Sequence, residues 1–387
     1  MKQTIGEVDV KGKRVLMRTD FNVPMQEGKI VDDLRIRMAM PSIQSVLNRD
    51  ASLTLISHLG RPRGRGFESE FSLGPVAERL SELLGQEVVL SDNDITSKIV
   101  LKENLRFSSG EIQGDKLFAE SLCFGCDIYC NDAFGTAHRN HASMVTVPQL
   151  MPDKPRVAGL LLAKELQYFN EVIAGGERPF IAVLGGAKVA DKIGVIKNLI
   201  GKVDAIIIGG GMAYTFLASQ GISVGKSIVE SDFIDEAKAM LTFAINQETP
   251  IMLPVDHICA TECSATAIPL IESENISDNL MGLDIGPQTT ANYVEALTSA
   301  KTVIWNGPMG VFEFEAFAAG TQGIAKILAE LTTSGAISVI GGGDSAAAIS
   351  SFNLADKMTH ISTGGGASLQ MLEGKAFLSV SLLDDTV

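Results

Sequence analysis

Phe180-Ile-Ala-Val-Leu-Gly-Gly-Ala-Lys-Val-Ala-Asp-Lys192 is the stretch on which the fold turns. Its apolar run, Phe180–Leu184, has the length and the side chains of a buried strand. The run breaks at Gly185-Gly186 and gives way to a helix-like stretch, Lys188–Ile200. Strand, tight turn and helix in that order make a βα unit, and repeated units build a parallel sheet. The unit does repeat. Ala205–Ile208 leads into Gly209-Gly210-Gly211, Thr302–Trp305 into Asn306-Gly307-Pro308, and Ala336–Ile340 into Gly341-Gly342-Gly343. Nearer the N-terminus, Arg14–Phe21, Leu53–Ser57 and Asp127–Asn131 read as strands, and Leu34–Leu47 and Leu73–Leu84 as helices. The fold class is α/β with parallel sheets flanked by helices, and 387 residues suffice for two such domains.

Parallel sheets bind ligands outside the carboxyl ends of their strands, so the loops after the strands carry the function. In the second half these loops are bare backbone: the glycine clusters above and Gly364-Gly365-Gly366. A glycine loop that opens a helix offers N–H donors and the positive end of the helix dipole, which suits phosphate. Several together suggest a nucleotide with several phosphates. Lys188 and Lys192, four apart beside Gly185-Gly186, read as one face of a helix start that needs an anion. Asp344 reads either as a Mg²⁺ ligand or as the N-cap of a helix starting near Ser345, and the two are compatible. In the first half the loops carry side chains instead: Asp20 and Asn22, His58 and Arg61, and Arg139, with Arg35 and Arg106 placed to join them. That set suits a small, multiply anionic substrate. His58 alone reads equally well as structural or as ligand-binding.

Arginine usage follows the same division: all thirteen arginines lie at or before Arg178. The rigid guanidinium fork suits bidentate contact with carboxylate and phosphate. The boundary falls within 158–179, where a helix-like run, Leu160–Ile173, ends at Gly175-Gly176 and a strand follows Pro179. This gives a domain over residues 1–158, a hinge helix and linker over 159–178, and a second domain over 179–361. The helix, Gly175-Gly176 and Thr363–Gly366 are the hinge candidates.

Other readings fare less well. A net charge of −14 disfavours nonspecific nucleic-acid binding. No apolar run reaches the ~18 residues of a membrane span, and the N-terminus shows no secretory pattern, so a cytoplasmic location is expected. Cys123-x2-Cys126-x3-Cys130 lacks the further ligands that zinc needs, and five cysteines do not suggest a disulfide framework. Gly341-x-Gly343-x-x-Ala346 fits a permissive dinucleotide fingerprint, but no acid follows about 20 residues on to hold a ribose. Gly221-Ile-Ser-Val-Gly225-Lys226-Ser227 is one residue short of a P-loop and follows a helix-like run, so it reads as an ordinary loop.

The chain resembles the phosphoglycerate kinases over nearly its whole length. The motifs are Arg18-Thr-Asp-Phe-Asn-Val-Pro24, Ser57-His-Leu-Gly-Arg-Pro62, Glu103-Asn-Leu-Arg-Phe107, Asn131-Asp-Ala-Phe-Gly-Thr-Ala-His-Arg139, Leu184-Gly-Gly-Ala-Lys-Val-Ala-Asp-Lys192, Ile208-Gly-Gly-Gly-Met-Ala213, Trp305-Asn-Gly-Pro-Met-Gly-Val-Phe-Glu313, Gly341-Gly-Gly-Asp-Ser345 and Ser362-Thr-Gly-Gly-Gly-Ala-Ser368. The resemblance implies two Rossmann-like domains, with a C-terminal segment from about residue 362 packing back on the first. It implies 3-phosphoglycerate or 1,3-bisphosphoglycerate held by Asp20, Phe21, Asn22, Arg35, His58, Leu59, Gly60, Arg61, Arg106 and Arg139. It implies ADP or ATP held by Lys188, Lys192, Gly210, Gly282, Asn306, Glu313, Gly341, Gly342, Gly343, Asp344 and Ser345, with Mg²⁺ on Asp344. Small molecules are the expected partners of a monomer that takes neither nucleic acid nor membrane.

The departures are small. Ser345 stands where the family often has threonine, Met309 and Cys130 where valine is common, and Cys126 where glycine is. Direct in-line transfer to ADP would have Arg35, Lys188 and Mg²⁺ neutralise the migrating group, assisted by the amides of Gly342, Gly343 and Gly365. A carboxylate nucleophile needs no general base. Two alternatives stand beside this reading: a two-domain NAD-dependent dehydrogenase, which the missing ribose acid disfavours, and a non-enzymatic sensor of the same fold, which the retained lysines disfavour.

Overall fold

Arg14–Arg18 is buried along its whole length and lies inside a six-stranded sheet. In spatial order the strands are Val89–Leu90, Ile99–Leu101, Ser52–Ile56, Arg14–Arg18, Ile128–Asn131 and Arg156–Ala158. Every neighbouring pair is parallel. The computed structural model describes all residues except Ala174, Thr363 and Val387. It divides into two compact units, Met1–Gln167 with Ala376–Val387, and Tyr168–Lys375.

The first unit is built on this sheet. Helix Leu34–Leu47 turns Ile36, Ala39, Ile43 and Val46 inward at helical spacing. They join Met17, Leu53, Leu55, Leu101 and Ile128 in one core. Each fully buried aliphatic side chain contributes roughly 1.5–3 kcal/mol. Helix Gly74–Leu84 stops at Gly85, whose φ of 64° is the left-handed conformation that glycine adopts freely.

The second unit has its own parallel sheet, ordered Ile251–Met252, Ala205–Ile208, Phe180–Leu184, Thr302–Asn306, Ile337–Gly341 and His360–Ile361. Numbered along the chain, that order is 3-2-1-4-5-6, the Rossmann arrangement. The direction of winding reverses between Phe180–Leu184 and Thr302–Asn306, and there the carboxyl ends open a crevice. An antiparallel sheet of Leu270–Glu272, His257–Ala260 and Met281–Ile285 is inserted between the third and fourth strands. Its short strands carry no clear alternation, and the sequence reading did not anticipate it.

Two expectations meet the structure with differences. Lys188–Ile200 is not one helix: the helix spans Ile193–Leu199, and Lys188 lies in the loop before it. The second unit runs on to Lys375 rather than ending near residue 361. His360–Ile361 pairs with Ile337–Gly341, and helix Gly365–Leu372 packs on Ile193–Leu199. The returning segment begins at Ala376, where Ser379 Oγ donates to the Ala137 carbonyl at 2.5 Å. Within the proposed hinge stretch Thr363–Gly366, Thr363 lies outside the described residues.

The start of helix Leu160–Ile173 is tied to the first sheet. Asp132, buried at the end of strand Ile128–Asn131, accepts the Leu161 and Leu162 N–H groups at 2.9 and 3.1 Å. Ser42 Oγ accepts that of Leu160 at 2.8 Å. Burial pushes the Asp132 carboxyl up to about 7. A methyl group on Gly159 would stand 2.1 Å from Asp132 Oδ1, so that cap has no room for a side chain. Gly159→Ala is therefore expected to lower stability by about 1–3 kcal/mol, the usual cost of overpacking. Urea unfolding followed by circular dichroism measures it, and an unchanged midpoint would show that the cap tolerates displacement.

Candidate active site

Two adjoining cavities open at the carboxyl ends of the second sheet. The smaller, about 230 Å³, is lined by Gly186, Ala187, Lys188, Asp191, Lys192, Asn306, Gly307, Gly342, Gly343, Asp344, Ser345, Gly365 and Leu369. Lys188 and Lys192 thus share this cavity although they do not share a helix face. Lys192 is 8% exposed and donates from Nζ to Asn306 Oδ1. Burial lowers its ammonium to about 8. Asn306 Nδ2 is buried without a partner among the described residues, a donor left over at the edge of the cavity. Lys188 is exposed and has no hydrogen-bond or ion-pair partner among the described residues.

Two helices begin here. Gly342, with φ 95°, caps helix Gly343–Ser351, and Gly365 is the first residue of helix Gly365–Leu372. Asp344 is therefore in the first turn of its helix and is not the N-cap. Its carboxylate is exposed and has no hydrogen-bond partner among the described residues. Ser345 is fully buried, and its Oγ accepts the Gly307 N–H at 2.7 Å. It fastens one loop to the next. Gly341 is buried at the end of its strand, where a methyl group would stand 3.0 Å from Asn306 Nδ2. Among the described residues no cluster of three metal-ligating side chains occurs. A lone carboxylate beside a phosphate cradle fits an ion held mainly by phosphate oxygens and water, the usual habit of Mg²⁺.

The second cavity, about 300 Å³, shares Gly186, Ala187 and Asp344 with the first. Its walls are Gly210 and Gly211, Tyr214, Ile228, Met281, Gly282, Leu283, Pro308, Val311 and Glu313. A methyl group on Gly282 would meet the Tyr214 hydroxyl at 2.0 Å, and the Gly282 N–H donates to Ser227 Oγ at 2.9 Å. Met281 and Gly282 come from the inserted antiparallel sheet, which makes that insertion part of the site. A flat apolar slot with an acid at its edge, joined to a cationic cradle rich in amides, matches a base and ribose followed by phosphates.

The candidates of the first unit cluster differently. Arg35 Nη1 donates to Asp20 Oδ2 at 2.8 Å. Burial raises the Asp20 carboxyl, but Arg35 and its neighbours outweigh this and hold it below the usual range. Asn22 Oδ1 accepts the Gly60 N–H at 2.8 Å, and Arg106 Nη1 donates to the Gly60 carbonyl at 2.8 Å. A methyl group on Gly60 would strike the Phe71 ring at 2.5 Å. His58 is 4% exposed, and burial, then the charge of Arg18, pushes it well below its ordinary value. Arg61 and Arg139 are exposed and have no hydrogen-bond or ion-pair partner for their guanidinium groups among the described residues. Phe21 and Leu59 have their side chains in the core. The Phe21 N–H is already given to Ser57 Oγ at 2.8 Å, and the Leu59 carbonyl accepts from Asn104 Nδ2 at 2.7 Å.

Sequence reasoning missed the layer behind this cluster. Arg18 is fully buried and reaches Ser143 Oγ at 3.0 Å, the Thr19 carbonyl and His58 Nδ1 at 3.1 Å. The available signal was a charge at the end of the wholly buried strand Arg-Val-Leu-Met-Arg. A larger cavity of about 910 Å³, walled by Phe67, Phe107, Phe118 and Phe124, lies in the same unit, but none of the candidate residues line it.

A family model described as phosphoglycerate kinase matches residues 5–375. Phosphoglycerate kinase of Rhodopirellula baltica is 50% identical over 99% of both chains, and that of Clostridium perfringens 49% identical over the same shares. Among solved structures, phosphoglycerate kinase from Coxiella burnetii superposes with a TM-score of 0.90 at 39% identity, covering 99% of this chain and 98% of that one. The enzyme from Pyrococcus horikoshii does so with a TM-score of 0.84 at 31% identity and the same coverage.

The buried lysine has a signature in stability. Its folded-state value of about 8 lies below the ordinary 10.5. Below pH ~8 both states hold the proton and the burial penalty is fully present. Between pH 8 and 10.5 the unfolded state binds more protons, so stability rises with pH. Relative to Lys192→Met, the wild-type protein is expected to gain on the order of 1–2 kcal/mol from pH 7.5 to 9.5. Paired denaturant titrations check this, and a constant difference would mean that Lys192 stays charged throughout.

Proposed function

The chain belongs to the phosphoglycerate kinase family and catalyses reversible phosphoryl transfer between 1,3-bisphosphoglycerate and ADP, and from that premise we propose which of its residues do the work. The nucleotide occupies the two joined cavities of the second unit. Its base lies between Gly210 and Leu283, with Glu313 at the ribose. Its phosphates lie against Lys192, Asn306 Nδ2 and the amides of Gly342 and Gly343. The observation that carries this reading is the cradle itself: a buried ammonium, an unpartnered amide donor and two helix starts converge on 230 Å³ at the sheet's reversal point. Asp344 would hold Mg²⁺, which supplies charge neutralisation between the phosphates.

The glycerate phosphate is held on the first unit by Arg61, Arg106 and Arg139, with Asp20, Asn22, Arg35 and His58 around the carboxyl and hydroxyl. Phosphoryl transfer asks little covalent work of the protein, and positioning and charge stabilisation do most of it. The substrate carboxylate is already deprotonated, so no residue need act as base. Lys188, the exposed charge lining the cavity, neutralises the transferring group, and the Gly365 N–H assists. In-line transfer needs reacting atoms ~3–3.5 Å apart, so the reaction must bring the two sets of residues together. Helix Leu160–Ile173 and Gly175-Gly176 are the segments we propose to bend. We propose that it acts on small molecules, as a monomer in the cytoplasm; the two cavities of about 230 and 300 Å³ fit small-molecule substrates.

Division of labour is the direct test. Arg139→Ala is expected to weaken 3-phosphoglycerate binding by tenfold or more, the order of one charged hydrogen bond, and to leave ADP binding within about twofold. Lys192→Ala reverses the pattern. Calorimetric titration of each variant with each ligand decides, and equal losses for both ligands in both variants would sink the assignment.

Lys188→Ala should act on rate rather than affinity. A charge directed at the transferring group stabilises the transition state selectively. The expected loss in kcat is on the order of 10²–10³, comparable with removal of other preorganised donors. A raised KM with kcat unchanged would place Lys188 in ground-state binding instead.

A further inference from the structure

Glu111 is fully buried in the short helix Ser109–Gln113 and belongs to none of the candidate sets. Its Oε1 accepts the Ser143 hydroxyl at 2.6 Å and its Oε2 the Ser143 N–H at 3.0 Å. Ser143 Oγ has then given its hydrogen to Glu111 and can only accept, and it accepts from Arg18 Nε at 3.0 Å. Arg18 has donors alone, so the contact from its Nη2 to His58 Nδ1 at 3.1 Å requires an unprotonated Nδ1. The histidine must therefore carry its hydrogen on Nε2. Glu111 and Ser143 do not make Arg18 a donor, which it always is; they fix the position from which its Nη2 reaches His58 Nδ1. Burial raises the Glu111 carboxyl, and the nearby His141 ring, Arg18 and Ser143 more than offset it. Tyr129, also buried, donates to the Ser143 carbonyl at 2.8 Å and holds the serine in place.

We propose that Glu111 is a positioning residue: acting through Ser143 and Arg18, it fixes His58 as a neutral ring with Nδ1 accepting and Nε2–H available to donate to the glycerate substrate. Without the carboxylate behind them, the repulsion between Arg18 and the half-buried Arg106 would go uncompensated, and Arg18 would keep only the Thr19 carbonyl and His58 Nδ1 to orient it. The serine is essential because its hydroxyl converts an acceptor carboxylate into an acceptor oxygen at the distance and angle Arg18 Nε needs. The proposal rests on the reading that His58 faces glycerate, but the tautomer it predicts does not depend on any ligand.

The experiment uses the full-length protein labelled with ¹⁵N-histidine. Two-bond ¹⁵N–¹H correlation spectra, with His58 assigned by a His58→Gln comparison, report which ring nitrogen carries the hydrogen. In the wild-type protein near pH 7.5, Nε2–H alone is expected. In Ser143→Ala and in the isosteric Glu111→Gln the signal is expected to become a mixture of tautomers. KM for 3-phosphoglycerate should rise about tenfold, while KM for ATP stays within about twofold. Ser143→Thr, which keeps the hydroxyl, should restore both readouts. Should Glu111→Gln fail to fold, Ser143→Ala and its threonine rescue decide alone. A folded Ser143→Ala protein with a pure Nε2–H ring and unchanged KM would overturn the proposal, as would KM values that change equally for both substrates. A tautomer that shifts while both His58→Gln and Ser143→Ala keep the wild-type KM for 3-phosphoglycerate would uphold the relay and refute only the placing of His58 at the glycerate.

Discussion

A methyl group placed on Gly185 would stand 2.2 Å from the Pro308 carbonyl oxygen, and one on Gly307 would stand 2.2 Å from that of Gly185. Backbone meets backbone at the carboxyl ends of the two central strands of the second sheet, and no side chain fits between them. The loops are bonded accordingly. Gly185 donates to the Asn306 carbonyl, Gly186 to that of Pro308 and Gly210 to that of Met309, each at 2.9 Å. Met212 N–H returns to the Gly186 carbonyl at 3.0 Å, and Ser345 Oγ fastens Gly307. This close approach fixes where Lys192 and Asn306 sit and where the helices from Gly343 and Gly365 begin. The phosphate cradle is a consequence of it, because rigid backbone donors need no reorganisation to receive an anion.

The first unit meets the same demand with the opposite material. The anion site proposed there is made of guanidinium groups on long flexible stems, which must be held apart and aimed. Asp20 takes Arg35, the Gly60 carbonyl takes Arg106, and Ser143 and His58 take Arg18. Buried charges are costly unless paired and hydrogen-bonded, so the cationic surface implies a second layer of acceptors behind it. Glu111 and Ser143 are that layer. Arg61 and Arg139, which have no such bonds among the described residues, remain the groups whose charge is uncommitted.

The second sheet is legible in the sequence because its central strands are short apolar runs closed by glycine, as suits strands buried on both faces. Phe180–Leu184 and Ala205–Ile208 were read to the residue. The same pattern marks the glycine loops, since close backbone approach leaves no alternative residue type. What escaped was set by tertiary context. Lys188 reads as a helix residue by spacing, yet the loop packing around Gly186 delays the helix to Ile193. Ser345 and Phe21 lie in motifs expected to bind ligands, and their side chains serve as loop bracing and core. The inserted antiparallel strands lack periodicity, and the Glu111–Ser143–Arg18 chain joins residues far apart in sequence. No local pattern can announce a partner 32 or 125 positions away.

A net charge of −14 repels the anionic substrates of this reaction. On the assignment proposed above the two units resolve that conflict locally, and the difference between their devices follows from the ligands. A nucleotide has an extended chain of phosphates that successive amides can follow, so backbone suffices and two lysines complete it. A glycerate phosphate is small, and no helix start could surround it, so charge must be delivered from several directions by side chains. Backbone donors are indifferent to pH, whereas a buried lysine and a buried histidine are not. Burial lowers Lys192 to about 8 and drives His58 well below its ordinary value. Near neutral pH the first is still charged and the second already neutral. In the proposed assignment Lys192 then contributes attraction to the phosphates, and His58 contributes direction to the substrate without adding to the crowded positive charge of Arg18, Arg35 and Arg106. The same physical term, removal of a titratable group from water, gives the two residues opposite roles.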